Sequence, residues 1–117
     1  DAAGLNRGAS GNVSARDGED MLVTPSAVPA VDLAPGMIAR MPLAGDGGWS
    51  GLLRPSSEWR IHRDLYRARP DFGAVVHTHA PWCTALAAAR RPIPPLHYMI
   101  AAFGGSEIRV AGYARYG

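Results

Sequence analysis

Two histidines, His77 and His79, stand on either side of one threonine at the end of the apolar run 74–76. Residues i and i+2 of a strand point to the same face, so the two imidazoles are expected to lie side by side. Binding sites in α/β sheets form where a buried strand gives way to a loop. Neutral imidazole is the commonest metal ligand, so the pair predicts a site for Zn²⁺ or another first-row divalent cation. The alternative is two half-buried histidines that bind no metal. A cupin-type site is disfavoured, because the following APWCTAL contains no carboxylate.

A second group of candidates lies at the start of a predicted helix, in the segment SSEW. Glu58 either complements the helix dipole or serves as a base beside a metal. Ser56 and Ser57 either cap the helix or bind a phosphate together with free backbone N–H groups. The turns GNVS and TPSA add small polar residues, which are typical of ordinary turns and also of anion sites. His97 and Tyr98 follow two prolines and are equally compatible with packing and with a site.

The elements that position these residues alternate between strands and helices. An Asp-Gly turn predicts a hairpin with strands at 12–16 and 21–24. Further strands are predicted at 37–41, 72–79 and 107–110, and helices at 56–69 and 81–91. The segment 91–105 is predicted to begin as a loop, and periodicity leaves its later part open between buried helix and strand. The run 74–76 predicts burial on both faces of its strand, and Ile61, Leu65 and Ala68 predict the apolar face of the first helix. This alternation predicts an α/β layered domain.

Composition limits the class of protein. The 117 residues are 47% hydrophobic, which is typical of one globular domain. All 12 basic residues are arginines, but they are scattered among 10 acidic residues, which disfavours nucleic-acid binding. No stretch approaches the ~20 apolar residues that cross a membrane. The single Cys83 permits no internal disulfide, which favours a reducing compartment and a cytoplasmic protein. The chain opens without methionine and stops at YARYG, which predicts truncation at both termini.

Six segments follow one another along the chain: GNVSARDG, MLVTPSA, RPSSEWRIHRDLYRARPD, AVVHTHAPWCTALA, RPIPPLHYMIAAFGG and YARYG. In this order they resemble the class II aldolase/adducin family. The resemblance covers residues 4–117 and implies that 1–117 is a partial domain of that type. The implied fold is a three-layer α/β/α domain with a central, mostly antiparallel sheet. The implied assembly is a homotetramer with active sites between subunits. The resemblance also implies Zn²⁺ bound by His77 and His79, with a third ligand histidine from a later segment outside this chain.

The resemblance assigns roles to the other candidates. Glu58 is the catalytic acid/base, and Tyr98 reaches a neighbouring subunit's site and protonates the aldehyde oxygen. The substrate phosphate is bound by the residues Asn12, Ser26, Ala27, Ser56 and Ser57. Ala27 departs from the family's usual glycine, and alanine does not readily adopt a positive φ.

The implied reaction is metal-dependent cleavage of a phosphorylated ketose, of the L-fuculose 1-phosphate type, to dihydroxyacetone phosphate and an aldehyde. The implied partner is therefore a small sugar phosphate. Alternatives are a ribulose-phosphate 4-epimerase, another sugar-phosphate lyase of the family, and an adducin-like scaffold without catalysis. With two strong ligand candidates and no later histidine segment, these 117 residues alone are predicted to be inactive.

Overall fold

The computed structural model describes residues 4–114. They form two compact units, the first ending at His79 and the second beginning at Ala80. The first unit contains strands β1 (Asn12–Asp17), β2 (Asp20–Val23), β3 (Ala39–Pro42) and β4 (Ala74–His77), and helix α1 (Trp59–Ala68). It also contains two short 3-10 helices, Ala30–Asp32 and Pro35–Met37. The second unit contains helix α2 (Pro81–Ala88) and a 3-10 helix, Tyr98–Phe103.

The four strands form one sheet in the order β3-β2-β1-β4, and every neighbouring pair is antiparallel. The predicted hairpin is confirmed, since β1 and β2 pair from Ser14 opposite Val23 to Asp17 opposite Asp20. Gly18 in the connecting turn has a φ of 61°, a conformation that glycine adopts without strain. The antiparallel character of the sheet is thus as predicted, whereas the three-layer arrangement and the truncation stay predictions.

Several predicted element boundaries are wrong. The strand predicted at 37–41 begins at Ala39, because residues 35–37 form a 3-10 turn that starts at a proline. Helix α1 begins at Trp59 and not at Ser56, because the Trp59 N–H donates to the Ser56 carbonyl in a separate turn (3.1 Å). The strand predicted at 107–110 is reduced to one bridge between Ile93 and Ile108.

Two predictions about burial are also wrong. Strand β4 is not buried on both faces, since Val76 is 65% exposed at what is the edge of the sheet within the described residues. Helix α1 does not bury its apolar stripe, because Ile61 is 46% exposed. It buries His62, Arg63 and Tyr66 instead. Polar atoms of His62 and Tyr66 find hydrogen-bond partners on the sheet, which removes the usual penalty for burying them.

The core of the first unit lies between α1 and one face of the sheet. Its buried members are Met21, Val23, Ala39, Met41, Leu43 and Tyr66, with Trp59, Phe72 and Val75 packed against them. The inward residues of β1, in contrast, include the polar Asn12 and Ser14, whereas Val13 faces outward and is 45% exposed. Strand β1 therefore presents polar groups to the helix at the end of the sheet where β4 also ends.

Candidate metal centre

Three potential metal ligands converge where β4 ends and α1 begins. His77 is the last residue of β4, His79 follows two residues later, and Glu58 precedes the first residue of α1. The Nε2 atoms of the two histidines are 2.9 Å apart, and Glu58 Oε2 lies 3.4 Å from His77 Nε2. All three ligand atoms lie within 4.8 Å of one another. The two predicted histidines are thus brought together, and the carboxylate joins them.

These distances suit a single cation. Tetrahedral zinc with bonds of ~2.0–2.1 Å separates its ligand atoms by about 3.3 Å, close to the separations seen between the side chains. Two imidazole nitrogens that face each other at 2.9 Å also need a proton or a cation between them. The donor set of two imidazoles and one carboxylate fits zinc and other first-row divalent metals. The geometry therefore defines a potential Glu/His/His metal site without selecting the metal.

The loop that carries His79 is attached to the N-terminal segment of the first unit. The His79 backbone N–H donates to Asn6 Oδ1 over 2.8 Å. A Cβ atom at Gly11 would lie 2.5 Å from Asn6 Nδ2, so only glycine leaves room for this side chain. Gly11 also has a φ of 76°. Asn6 was not a predicted site residue, because its contact spans 73 positions of sequence and carries no local signal.

A buried polar network begins at Glu58 and runs behind the metal site. Asn12 Nδ2 donates to Glu58 Oε2 over 2.7 Å, and Asn12 Oδ1 is bonded to His62 Nε2. His62 Nδ1 lies 2.7 Å from Ser14 Oγ, which lies 2.8 Å from the Tyr66 hydroxyl. His62 is fully buried. Ser14, the serine of the segment GNVS, lies two positions from Asn12 on one strand and so shares its face, but no role in such a network was predicted for it.

The turns predicted to bind phosphate are joined to each other. Ser26 N–H donates to the Arg54 carbonyl, and Ser56 N–H donates to the Thr24 carbonyl. Ser56 is buried, and its Oγ accepts from the Glu58 N–H over 3.2 Å. Ala27 has a φ of 60°, the conformation for which the family's glycine is suited.

The other predicted phosphate residues are placed differently. Asn12 uses one amide hydrogen for Glu58 and its amide oxygen for His62, which leaves the second amide hydrogen for another acceptor. Ser57 lies between Ser56 and Glu58 in the same turn. The phosphate-binding roles of all five residues stay predictions.

Tyr98 belongs to the second unit, where it begins the 3-10 helix Tyr98–Phe103. The residue is 82% exposed, and its ring centroid lies 4.4 Å from that of His97. His97 Nδ1 accepts from the Met99 N–H, so this histidine caps the helix. The exposure leaves the phenol accessible within its unit, and its catalytic role stays a prediction.

The sheet, the potential metal site and the ordered motifs together define a class. The model of the class II aldolase and adducin N-terminal domain matches residues 1–117, and the chain belongs to this family. A 5-methylthioribulose-1-phosphate/5-deoxyribulose-1-phosphate aldolase of Rhodospirillum rubrum is 52% identical over 114 residues, 97% of this chain and 51% of that protein. The L-fuculose phosphate aldolase of Escherichia coli K12 is 47% identical, over 97% of this chain and 52% of its own length.

Solved structures agree with the sequence relatives. An L-fuculose 1-phosphate aldolase superposes with a TM-score of 0.87 at 37% identity, over 98% of this chain and 54% of that one. The chain thus spans about half the length of the relatives that it matches. The resemblance read from the motifs is confirmed. Within residues 4–114, no helix has the length and apolar character needed to cross a membrane.

Proposed function

We propose that the protein is a metal-dependent aldolase that cleaves a phosphorylated ketose to dihydroxyacetone phosphate and an aldehyde. The observation that carries the proposal is the convergence of Glu58, His77 and His79 in a chain of this family. The named relatives act on L-fuculose phosphate and on 5-methylthioribulose and 5-deoxyribulose 1-phosphates. Both groups of substrates are ketose phosphates, and we assign this class to the protein.

The chemistry explains the residue types. His77 and His79 would hold a divalent cation, which would supply Lewis-acid stabilisation of the negative charge that develops when the carbon–carbon bond beside the ketone breaks. Glu58 gives a proton to the carbon in cleavage and removes it in the reverse direction. Tyr98 of a neighbouring subunit exchanges the proton of the aldehyde oxygen. The phosphate is held by Asn12, Ser26, Ala27, Ser56 and Ser57, which orients the reacting carbons.

A test at Glu58 distinguishes proton transfer from the alternative role, in which its charge only complements the dipole of helix α1. Replacement of Glu58 by Gln keeps the size of the side chain and removes its proton-transfer capacity. We expect turnover to fall by about 10²- to 10⁴-fold. The matched control is Glu19→Gln, since Glu19 is exposed in the hairpin turn and is expected to leave turnover unchanged.

The test is an assay of the purified protein, expressed over the full length of its gene because the 117 residues alone are predicted to be inactive, with L-fuculose 1-phosphate, 5-methylthioribulose 1-phosphate, ribulose phosphates and unphosphorylated ketoses. We expect release of dihydroxyacetone phosphate from a ketose 1-phosphate, loss of activity with a chelator, and recovery on adding Zn²⁺ or another divalent metal. Epimerised ribulose phosphate without cleavage would assign the protein to the epimerases. Absence of both metal binding and turnover would assign it to the scaffolds. We further propose a cytoplasmic homotetramer, the assembly that the family resemblance implies, since a Tyr98 shared between sites requires that neighbouring subunits associate.

A further inference from the structure

We propose that His62 is a positioning residue for Glu58, which it holds in place through Asn12 by a one-directional chain of hydrogen bonds. The inference deepens the proposed function and rests on it, because Glu58 needs a fixed position only if it transfers a proton. The chain consists of the side chains of Tyr66, Ser14, His62, Asn12 and Glu58.

The direction of the chain follows from its end at the carboxylate. An ionised carboxylate only accepts hydrogen bonds, so the Asn12 atom that lies 2.7 Å from Glu58 Oε2 must be the amide nitrogen. With the amide oriented in this way, Asn12 Oδ1 faces His62 Nε2. An amide oxygen has no hydrogen to give, so His62 Nε2 must carry one.

The protonation state of His62 determines the direction of the two remaining hydrogen bonds, those between His62 and Ser14 and between Ser14 and Tyr66. Burial lowers the pKa of His62, the nearby charge of His77 lowers it further, and Glu58 raises it by a smaller amount. A neutral imidazole with a hydrogen on Nε2 has a bare Nδ1, which accepts from Ser14 Oγ. Because Ser14 uses its one hydrogen there, its oxygen accepts from the Tyr66 hydroxyl. Each polar hydrogen in this chain of hydrogen bonds then has one donor and one acceptor.

Four of the five side chains in this chain of hydrogen bonds are buried. Tyr66, His62 and Ser14 are exposed by 1%, 0% and 2%, and Asn12 by 8%. In such surroundings an unsatisfied donor or acceptor is costly, and alternative orientations are suppressed. The Asn12 amide therefore cannot rotate without breaking bonds at both of its ends. This fixes the carboxylate oxygen of Glu58 that lies 3.4 Å from His77 Nε2.

The first test needs no activity. Nitrogen-15 NMR of the histidine rings in the metal-loaded protein should show His62 as the neutral tautomer with its hydrogen on Nε2 at pH 7. The His62→Gln spectrum assigns the resonance by its disappearance. A hydrogen on Nδ1 alone, or an imidazolium, would overturn the proposal. If the wild-type protein has no aldolase activity, the proposed function is contradicted, and the tautomer of His62 can still be measured.

The second test compares two replacements of His62. Glutamine places an N–H donor near the position of Nε2 and can bond Asn12, whereas leucine fills a similar volume without polar atoms. We expect His62→Leu to lower kcat by about tenfold or more, with a smaller rise in KM because Asn12 is also assigned to the phosphate, and His62→Gln to retain most of kcat. Equal losses in the two variants, or a loss confined to KM, would refute positioning through Asn12.

Ser14→Ala keeps the proposal testable should His62→Leu fail to fold. It removes one oxygen from the chain and leaves Asn12 and Glu58 in place. We expect the His62 Nδ1 resonance to move toward that of an unbonded nitrogen while the hydrogen stays on Nε2. An unmoved Nδ1 resonance would show that Ser14 does not donate to His62, and the one-directional chain would be wrong.

Discussion

Ala27 has a backbone φ of 60°, a left-handed conformation that is strained for a residue with a Cβ atom. The strain is worth roughly 1–2 kcal/mol for an L-residue with a Cβ. Ala27→Gly is therefore expected to raise the free energy of unfolding by up to about 1 kcal/mol, since glycine's larger unfolded-state entropy offsets part of the relief. Urea denaturation measures the change.

The control for this prediction is Ala34→Gly, because Ala34 has a φ of −127° and no strain to relieve. That variant should be slightly destabilised. If Ala27→Gly is destabilised as much as Ala34→Gly, the left-handed conformation at Ala27 carries no strain.

His62 also predicts how stability changes with pH. Its pKa in the folded protein is below the usual 6.5, because of burial and then the charge of His77. As pH falls through 6.5, the unfolded chain therefore takes up a proton before the folded protein does, and stability decreases. We expect the free energy of unfolding to be lower at pH 5.5 than at pH 7.5, and this difference to shrink in His62→Gln.

The groups that face the His62 ring determine how specific that pH dependence is. The ring contacts the neutral side chains of Asn12 and Ser14, and the charges that act on it are those of His77 and Glu58. His97→Gln serves as the control, since His97 is exposed in the second unit. A pH dependence that His97→Gln reduces and His62→Gln leaves intact would contradict the assignment.

At the scale of elements, Gly11 links the start of β1 to the loop of His79. A methyl group at this position would displace the Asn6 side chain, which accepts the His79 N–H. Residues that orient metal ligands typically change metal affinity by 10- to 100-fold when replaced. We expect Gly11→Ala to weaken metal binding by about tenfold, as measured by competition with a chelator.

Gly18→Ala is the matched control for Gly11→Ala. Gly18 has a similar φ of 61°, and a Cβ there would contact nothing within 4 Å. Both variants introduce backbone strain, but only Gly11→Ala disturbs Asn6. Equal metal affinity in the two variants would show that Asn6 does not position His79.

Helix α1 shows what the sequence could and could not predict about elements. Two stripes fit its helical period, the apolar Ile61 and Leu65 and the mixed His62 and Tyr66. Periodicity with hydrophobicity favours the first stripe, yet the second is buried. The choice depends on Ser14, which lies 48 positions from His62 and hydrogen-bonds both polar side chains. Local patterns contain no information about such a partner.

At the scale of the whole molecule, the ordered motifs predicted the family, and the His-x-His spacing predicted that His77 and His79 meet. Glu58 was expected to act as a base beside the metal, and its place among the potential ligand atoms was not predicted. The contacts of Asn6, Asn12 and Ser14 could not be predicted, because each joins segments far apart in sequence through a single polar atom.

The proposed sharing of a site between subunits has a direct test. Glu58→Gln and Tyr98→Phe should each be nearly inactive alone. If each site takes Glu58 from one subunit and Tyr98 from its neighbour, random mixed assemblies recover about a quarter of the wild-type activity. Subunits are mixed after denaturation and refolding, and activity is assayed against each variant refolded alone. No recovery in verified mixed assemblies would place both residues of a site in one subunit.

The inverted pattern of β1, with Asn12 and Ser14 inward and Val13 outward, has a consequence for folding fidelity. Shifting a strand by one residue exchanges its two faces, and burial of apolar side chains normally opposes such a slip. In β1 that slip would bury Val13, so hydrophobicity alone does not guard the register. The same slip would move Asn12 away from its position opposite His77 and remove its bond to Glu58. The hydrogen bond from Asn12 to Glu58 therefore distinguishes the correct pairing of β1 and β4, a task that apolar burial performs in most strands.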